Sequence, residues 1–235
     1  MSPSPLRARL SAVRQRLRSR FTRFGSLKRL YPVNPSFGLG KGTPVDRYYI
    51  ERFLDSRRDV IRGRVLEIGD RRYTEKYGAG VTTSEVLHFM EGSSGATIIA
   101  DIADCPQIPA DSFDCIILVQ TLHYIFDMGS AVSELHRILA PGGHVLCTVP
   151  GISQISRYDM DRWGDRWRLT SLSATELFAT AFDPAGTSVA THGNVLASVC
   201  LLEGIVAEKL LPGELDTDDE DYQLLVTIDA AKNRQ

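Results

Sequence analysis

Glu67, Gly69 and Asp70 close a short apolar run, Val65-Leu66-Glu67-Ile68-Gly69-Asp70, and set two carboxylates around a glycine. Three later apolar runs also end in polar groups: near Glu85, at Asp101, and at Gln120-Thr121 just ahead of His123. If the runs are strands of one parallel sheet, these groups meet along a crevice at the strands' carboxyl ends, where such sheets bind ligands. A carboxylate at the end of the second strand suits a ribose diol, because two hydroxyl donors match two carboxylate oxygens. Two acids at the first turn oppose a pyrophosphate, which needs backbone donors and no adjacent negative charge. The pattern therefore points to an adenosine-containing ligand without phosphate, with an ammonium or sulfonium instead. His123, directly after the fourth strand, is placed to act as a general base. Tyr158 and Asp159 join it as catalytic candidates in a polar, aromatic stretch that also holds Asp161, Trp163, Asp165 and Trp167. Such a stretch reads as a lid able to stack a sugar or an aromatic acceptor. It reads equally as tryptophans packed on the core with the acids left in solvent.

The elements that must position these groups follow from apolar spacing. Strands are expected at 64–68, 81–87 (ending at Glu85 and its neighbours), 96–100, 113–119 and 144–149, with weaker ones at 187–191 and 222–228. Between the fourth and fifth strands, residues 129–139 alternate with helical period and stop at Pro141-Gly142-Gly143, an end signal. Strands separated by helical patterns imply an α/β domain around a mostly parallel sheet. Leu169 to Phe182 predicts a helix, and Asn194 caps another that runs to Leu211. Glu214 to Asp221 is read as a solvated acidic turn, since its spacing lacks the central glycine of a calcium loop. The histidines are too scattered to form a metal site. Gly38, Gly40 and Gly42 precede a helix rather than follow a strand, the wrong context for a dinucleotide fingerprint. That lack, with the acidic entrance, argues against a nicotinamide oxidoreductase.

A chain of 235 residues with 43% apolar content supports one well-cored domain with additions. Four separated cysteines without a CxxC read as free thiols in a reducing compartment, three of them inside apolar runs and Cys105 in a more exposed pattern. Charge is divided unevenly: residues 1–45 hold ten Arg or Lys and no acid, while the remainder has 17 basic and 29 acidic groups. In the basic part Leu6, Leu10, Val13, Leu17, Phe21 and Phe24 recur at helical spacing among arginines. Three readings are open: a helix docked on the acidic body or a second subunit, an interfacial helix on anionic lipid, or a cleaved organellar presequence. Nucleic acid is not expected, because no stacking platform accompanies the charge. Residues 31–45, rich in Pro and Gly but carrying Tyr31, Phe37 and Leu39, should wrap over the body.

S-adenosylmethionine fits the ligand class deduced above. Its family resemblance rests on Val65-Leu66-Glu67-Ile68-Gly69, the run Ile108 to Ile117, Leu122-His123, and Glu134 to Gly143, in that order. These stretches resemble class I S-adenosylmethionine-dependent methyltransferases, the type 11 small-molecule group, over roughly residues 46–190. The resemblance implies a Rossmann-like α/β fold: a mostly parallel seven-stranded sheet, last strand antiparallel, with helices on both faces. It implies Glu67, Gly69 and Asp70 near the methionine part, Glu85 on the ribose, Asp101 and Ile102 at the adenine edge, and Gln120 lining the pocket. It also implies methyl transfer to a small acceptor, here expected as O-methylation of a glycosylated or lipid-linked metabolite. Two departures stand out. The glycine-rich continuation is replaced by Asp70-Arg71-Arg72-Tyr73, leaving room for Arg71 or Arg72 to meet the methionine carboxylate, and the helix 194–211 is an insertion. The first departure keeps open an inactive methyltransferase-like domain that partners a biosynthetic enzyme. The expected organisation is a basic N-terminal segment, 1–45, then the domain 46–235 with a lid at 151–168. No metal is expected; a homodimer is open, and the expected location is cytoplasmic or peripheral at a membrane.

Overall fold

The computed structural model describes residues 25–234. The amphipathic stretch from Leu6 to Phe24 lies outside them, and residues 25–27 form a single 3-10 turn. The compact unit that carries the sheet begins at Val33.

Helix α1, Val45–Asp55, leads through a turn into β1, Gly63–Ile68, and the short α2, Arg72–Tyr77. Then come β2, Val81–His88, the two-residue β3, Ile98–Ile99, and β4, Phe113–Val119. Helix α3, Met128–Ile138, is capped by the Asp127 carboxylate and precedes β5, Leu139–Pro150. The remaining elements are α4, Arg157–Met160; α5, Ser171–Phe178; β6, Thr187–His192; α6, Val195–Glu203; α7, Pro212–Leu215; and β7, Leu225–Ala231. Sheet order is β3-β2-β1-β4-β5-β7-β6. β7 runs antiparallel to both neighbours, and β1 to β5 are parallel. The expected mostly parallel, seven-stranded sheet is therefore present. The strand order reverses at β1, so the ends of β1 and β4 border the crevice where such sheets take ligands.

Side-chain alternation sorts the core into two layers. Leu66, Leu87, Ile116 and Leu118 bury one face of the sheet beneath α3 and α5. Val65, Cys115, Ile117 and Leu146 bury the other beneath α1, α2 and α6. Two boundaries moved for physical reasons. β5 starts at Leu139 because Leu139 pairs with Phe113, and Pro141-Gly142 is absorbed as a register shift in the ladder rather than a break before it. β2 continues three residues past Glu85, since Val86 and Leu87 are buried partners of Glu67 and Ile68. All four cysteines are buried free thiols, Cys105 included; its Sγ donates to Glu134 at 3.1 Å. Burial pushes that thiol up to about 12.

Residues 33–44 lie as a strap across the domain. Asn34 N donates to Glu203 O at 3.0 Å, Thr43 N to the Glu208 carboxylate, and Gln154 Nε2 to Pro35 O at 2.9 Å. The inserted α6 thus has two uses: its Ala197, Cys200 and Leu201 cover the sheet, and the chain after it pins the strap. Asn194 caps α6 as expected, and also donates to Glu214 O and Thr217 O at 2.7 Å each. Within the acidic turn Asp216 accepts from Tyr48 and Arg52, and Asp218 from Gly193 N, so part of it is held rather than free.

Candidate functional site

The end of β1 delivers its groups differently from one another. Glu67 is 2% exposed and turns inward. Its carboxylate accepts from Tyr73 N at 3.1 Å, Thr74 N at 2.8 Å and Thr74 Oγ1 at 2.8 Å. It thereby satisfies first-turn donors of α2 that have no partner within the helix. Burial raises its ionisation range, and the Thr74 and Tyr73 bonds oppose that. Gly69 follows with φ of 96°, a conformation that favours glycine, and a Cβ added there would meet open space. Asp70 is ion-paired with Arg72 at 2.5 Å. Burial works against its ionisation, yet the Arg72 bonds hold its carboxyl below the usual range. Arg71 donates to Gly95 O at 3.3 Å, on the far side of β2. Neither arginine expected at a methionine carboxylate lines the cavity beside Gln120.

Along the other strand ends the expected set divides. Glu85 is not at the end of β2; it sits opposite Leu66, with Arg64 at 3.6 Å. The terminal position belongs to His88, whose Nδ1 accepts from Met90 N at 3.0 Å and lies 2.8 Å from Ser93 Oγ. Asp101 is exposed just after β3, and its carboxylate accepts from Ala103 N at 2.9 Å. Ile102 is 4% exposed and belongs to the core beneath the sheet. Gln120 terminates β4 in the left-handed region, φ 47°. A residue other than glycine there is strained, and such strain gathers at functional positions.

A cavity of about 180 Å³ opens beside Gln120, bounded by the strap, the start of α1, and the lid. It brings together Gln120, His123 and Asp159 from the expected set, and adds Asp46, Arg47 and Arg168. Glu67, Gly69, Asp70, Glu85, Asp101 and Ile102 do not line it. Tyr158 does not line it either: its ring is 62% exposed and stacks on the Arg162 guanidinium at 3.5 Å. Asp159 is committed to the lid, one oxygen accepting from Tyr124 Oη and the other from Trp163 Nε1, both at 3.0 Å. Trp163 packs edge-on to His88, centroids 6.0 Å apart, and Trp167 Nε1 donates to Ile125 O. These indoles anchor the lid rather than offer a stacking face.

His123 is 4% exposed, with Nε2 4.0 Å from Asp165. Its Nδ1 is buried and has no hydrogen-bond partner among the described residues. Burial pushes the imidazole down to about 4, against the attraction of Asp165. At neutral pH it therefore offers a lone pair, not a charge. Asp165 itself accepts from Arg168 at 2.5 Å and from Ser156 N at 2.9 Å. Burial opposes its ionisation, and the Arg168 pair outweighs that and keeps it a carboxylate. No cluster of metal-ligating side chains occurs among the described residues. Asp46, Arg47 and Arg168 escape sequence reasoning because charges at a helix start or in a loop have an ordinary solvated explanation. Only the strap and lid, closing from both sides, make them cavity walls.

Residues 71–147 match the family model described as a methyltransferase domain. Three solved structures are similar in fold. A SAM-dependent methyltransferase from Archaeoglobus fulgidus is 12% identical, with TM-score 0.52, 79% of this chain and 94% of that one covered. An S-adenosylmethionine-dependent methyltransferase from Mesorhizobium loti is 18% identical, with TM-score 0.51 and coverage of 79% and 97%. A Haloferax volcanii complex of the Trm112 methyltransferase activator with its methyltransferase gives 17%, 0.53, and 81% and 91%. No curated protein matches the chain. The sheet order is that of the class I methyltransferase fold, residues 71–147 match the methyltransferase domain model, and the cofactor this implies is S-adenosylmethionine. The residues present fit that cofactor. Gly69 leaves open space at the end of β1, the first-turn amides of α2 are taken by Glu67 and Asp70 rather than left for a phosphate, and the buried Nδ1 of His123 has no partner among the described residues.

Proposed function

We propose that the protein is an active S-adenosylmethionine-dependent methyltransferase that O-methylates a small-molecule acceptor, of the glycosylated or lipid-linked kind. The observation that carries this reading is the buried imidazole of His123 in the wall of a polar cavity beside Gln120. When bound, the cofactor would supply an electrophilic methyl group on a sulfonium, with the neutral thioether as leaving group.

The chain's own work is positioning and proton handling. Gly69, Asp101 and Gln120, at the ends of β1, β3 and β4, border the cofactor's place. Neutral His123 accepts a hydrogen bond from the acceptor hydroxyl and takes up its proton as the oxygen bonds to the methyl carbon. Asp165, 4.0 Å from Nε2, then faces the imidazolium with opposite charge. Ser153, Gln154 and Asp46 supply further polar groups in the same cavity, which suits an acceptor with several hydroxyls. The strap and lid keep bulk water from the methyl donor. The basic stretch 6–30 supports the lipid-linked form of the acceptor, since arginines among spaced apolar residues are drawn to anionic lipid. No helix among the described residues is long and apolar enough to cross a membrane.

The test is calorimetric titration with S-adenosylmethionine and its demethylated product, followed by transfer of labelled methyl to glycosides and other hydroxyl acceptors. Absence of binding to folded protein overturns the enzyme reading. A second reading, a methyltransferase-like domain that partners a biosynthetic enzyme, draws on the short α2 and its occupied amides. The Haloferax volcanii methyltransferase in complex with its activator is a relative in fold that works with a protein partner. Nucleoside binding without methyl transfer to any hydroxyl acceptor would favour that reading.

A further inference from the structure

The cofactor's amino-acid end is a zwitterion and needs an anchor for each charge. In the turn after β1 neither Arg71 nor Arg72 lines the cavity that holds Gln120 and His123. Glu67 holds the Tyr73 and Thr74 amides, Asp70 holds Arg72, and Arg71 reaches to Gly95 O. The cation left facing the crevice comes from another part of the chain. Arg47, in the first turn of α1, lines the cavity together with Gln120 and His123. Its guanidinium donates to Tyr73 Oη at 2.5 Å and lies 5.6 Å from the centre of that ring. Tyr73 is the second residue of α2, so this contact ties Arg47 to the turn that follows Gly69. One bond to Tyr73 leaves most of the five guanidinium donors unspent.

Asp46 lines the same cavity. Its carboxylate accepts only from the adjacent Arg47 N, at 2.8 Å, among the described residues. Burial raises its ionisation range. A carboxylate so placed gains when a cation enters. Two adjacent residues thus present opposite charges to one cavity, and Tyr73 sets the direction of one of them.

We propose that Asp46 and Arg47 form the clamp for the cofactor's amino-acid end, Arg47 on the carboxylate and Asp46 on the ammonium. This rests on the methyltransferase reading above. α1 thereby takes over the task that a glycine-rich loop would otherwise perform, which explains how the loop after β1 can be short without loss of the ligand. Because the strap runs directly into α1, the clamp also joins the strap to the cofactor.

Ligand truncation crossed with substitution tests the clamp by calorimetry on the full chain. The ligands are S-adenosylhomocysteine, its decarboxylated and its deaminated analogues, and methylthioadenosine, which lacks both charges. The wild-type protein should prefer S-adenosylhomocysteine to methylthioadenosine by roughly tenfold or more, the scale of one charge-assisted pair. Arg47→Ala should lose the preference for the carboxylate and bind methylthioadenosine as the wild type does. Asp46→Asn should lose only the preference for the ammonium, and Arg47→Lys should keep part of the carboxylate preference. If Arg47→Ala weakens every ligand by one factor, its role is structural and the clamp is overturned. Unchanged affinity for S-adenosylhomocysteine overturns it too. Binding of S-adenosylhomocysteine with both variants neutral would leave the methyltransferase reading standing without the clamp. Failure of the wild type to bind any of the four overturns both.

Discussion

At the scale of single residues, two buried groups set testable behaviour. His123 has its folded-state range lowered to about 4 from an unfolded value near 6.5. Between those values the unfolded chain binds more protons, so stability rises with pH there and is complete above about 6.5. The fall on acidification from pH 6.5 to 4 should reach up to about 3 kcal/mol by linkage. Chemical denaturation across that window should show it, and His123→Gln should flatten the curve; an equally steep curve in the variant would place the proton elsewhere. Glu67 is the second case. Glu67→Ala strands the Tyr73 and Thr74 amides and the Thr74 hydroxyl in the interior, and should cost about 2–4 kcal/mol. A melting temperature within a degree or two of wild type would show that water replaces the carboxylate. Of the residues the sequence singled out, Gln120, His123 and Asp159 come together at one cavity. The sequence did not show that Glu67 is spent inward, nor that Glu85 lies short of the strand end. Those outcomes depend on where a strand stops, which buried neighbours such as Val86 and Leu87 decide.

Among elements, the lid and the strap are the parts that chain order leaves least determined. The lid, 151–168, has little regular structure beyond the four-residue α4 and is held by polar stitches: Asp159 to Tyr124 and Trp163, Asp165 to Ser156 and Arg168. Segments with few buried apolar contacts open locally at lower cost than the core. Asp159→Ala should therefore speed tryptic cleavage at Arg157 and Arg162 several-fold while lowering global stability by only about 1 kcal/mol. Unaltered cleavage would mean the tryptophans alone hold the lid. The inserted helix α6 was legible from its Asn194 cap and apolar spacing, and its partner was not. Its burial against α1 and the strap's bonds to Glu203 and Glu208 arise from contacts more than 150 residues apart in the chain.

For the whole molecule, the sheet is the stable frame and the ligand groups are its fittings. Ile117 is fully buried on the layer shared by α1, α2 and α6, and Ile117→Ala should cost about 2–5 kcal/mol in denaturant unfolding. A cost below 1 kcal/mol would mean that the layer re-collapses around the cavity. The family match covers residues 71–147, while strap, clamp, lid and insertion all lie outside that span. The methyltransferase match thus covers β2 to β4 and most of β5, and the strap and lid that close over the cavity lie beyond it. The sequence by itself determined most strands, the presence and caps of the main helices, and three of the four buried thiols. These rest on local periodicity and caps, which act over a few neighbouring residues. Only the tertiary structure decided which charges remain available. Pairing consumes Glu67, Asp70, Arg72 and Asp159, while Asp46, Arg47 and His123 line one cavity. An ion pair or a buried hydrogen bond depends on distance in space, and residues 47 and 123 meet only when the sheet has folded.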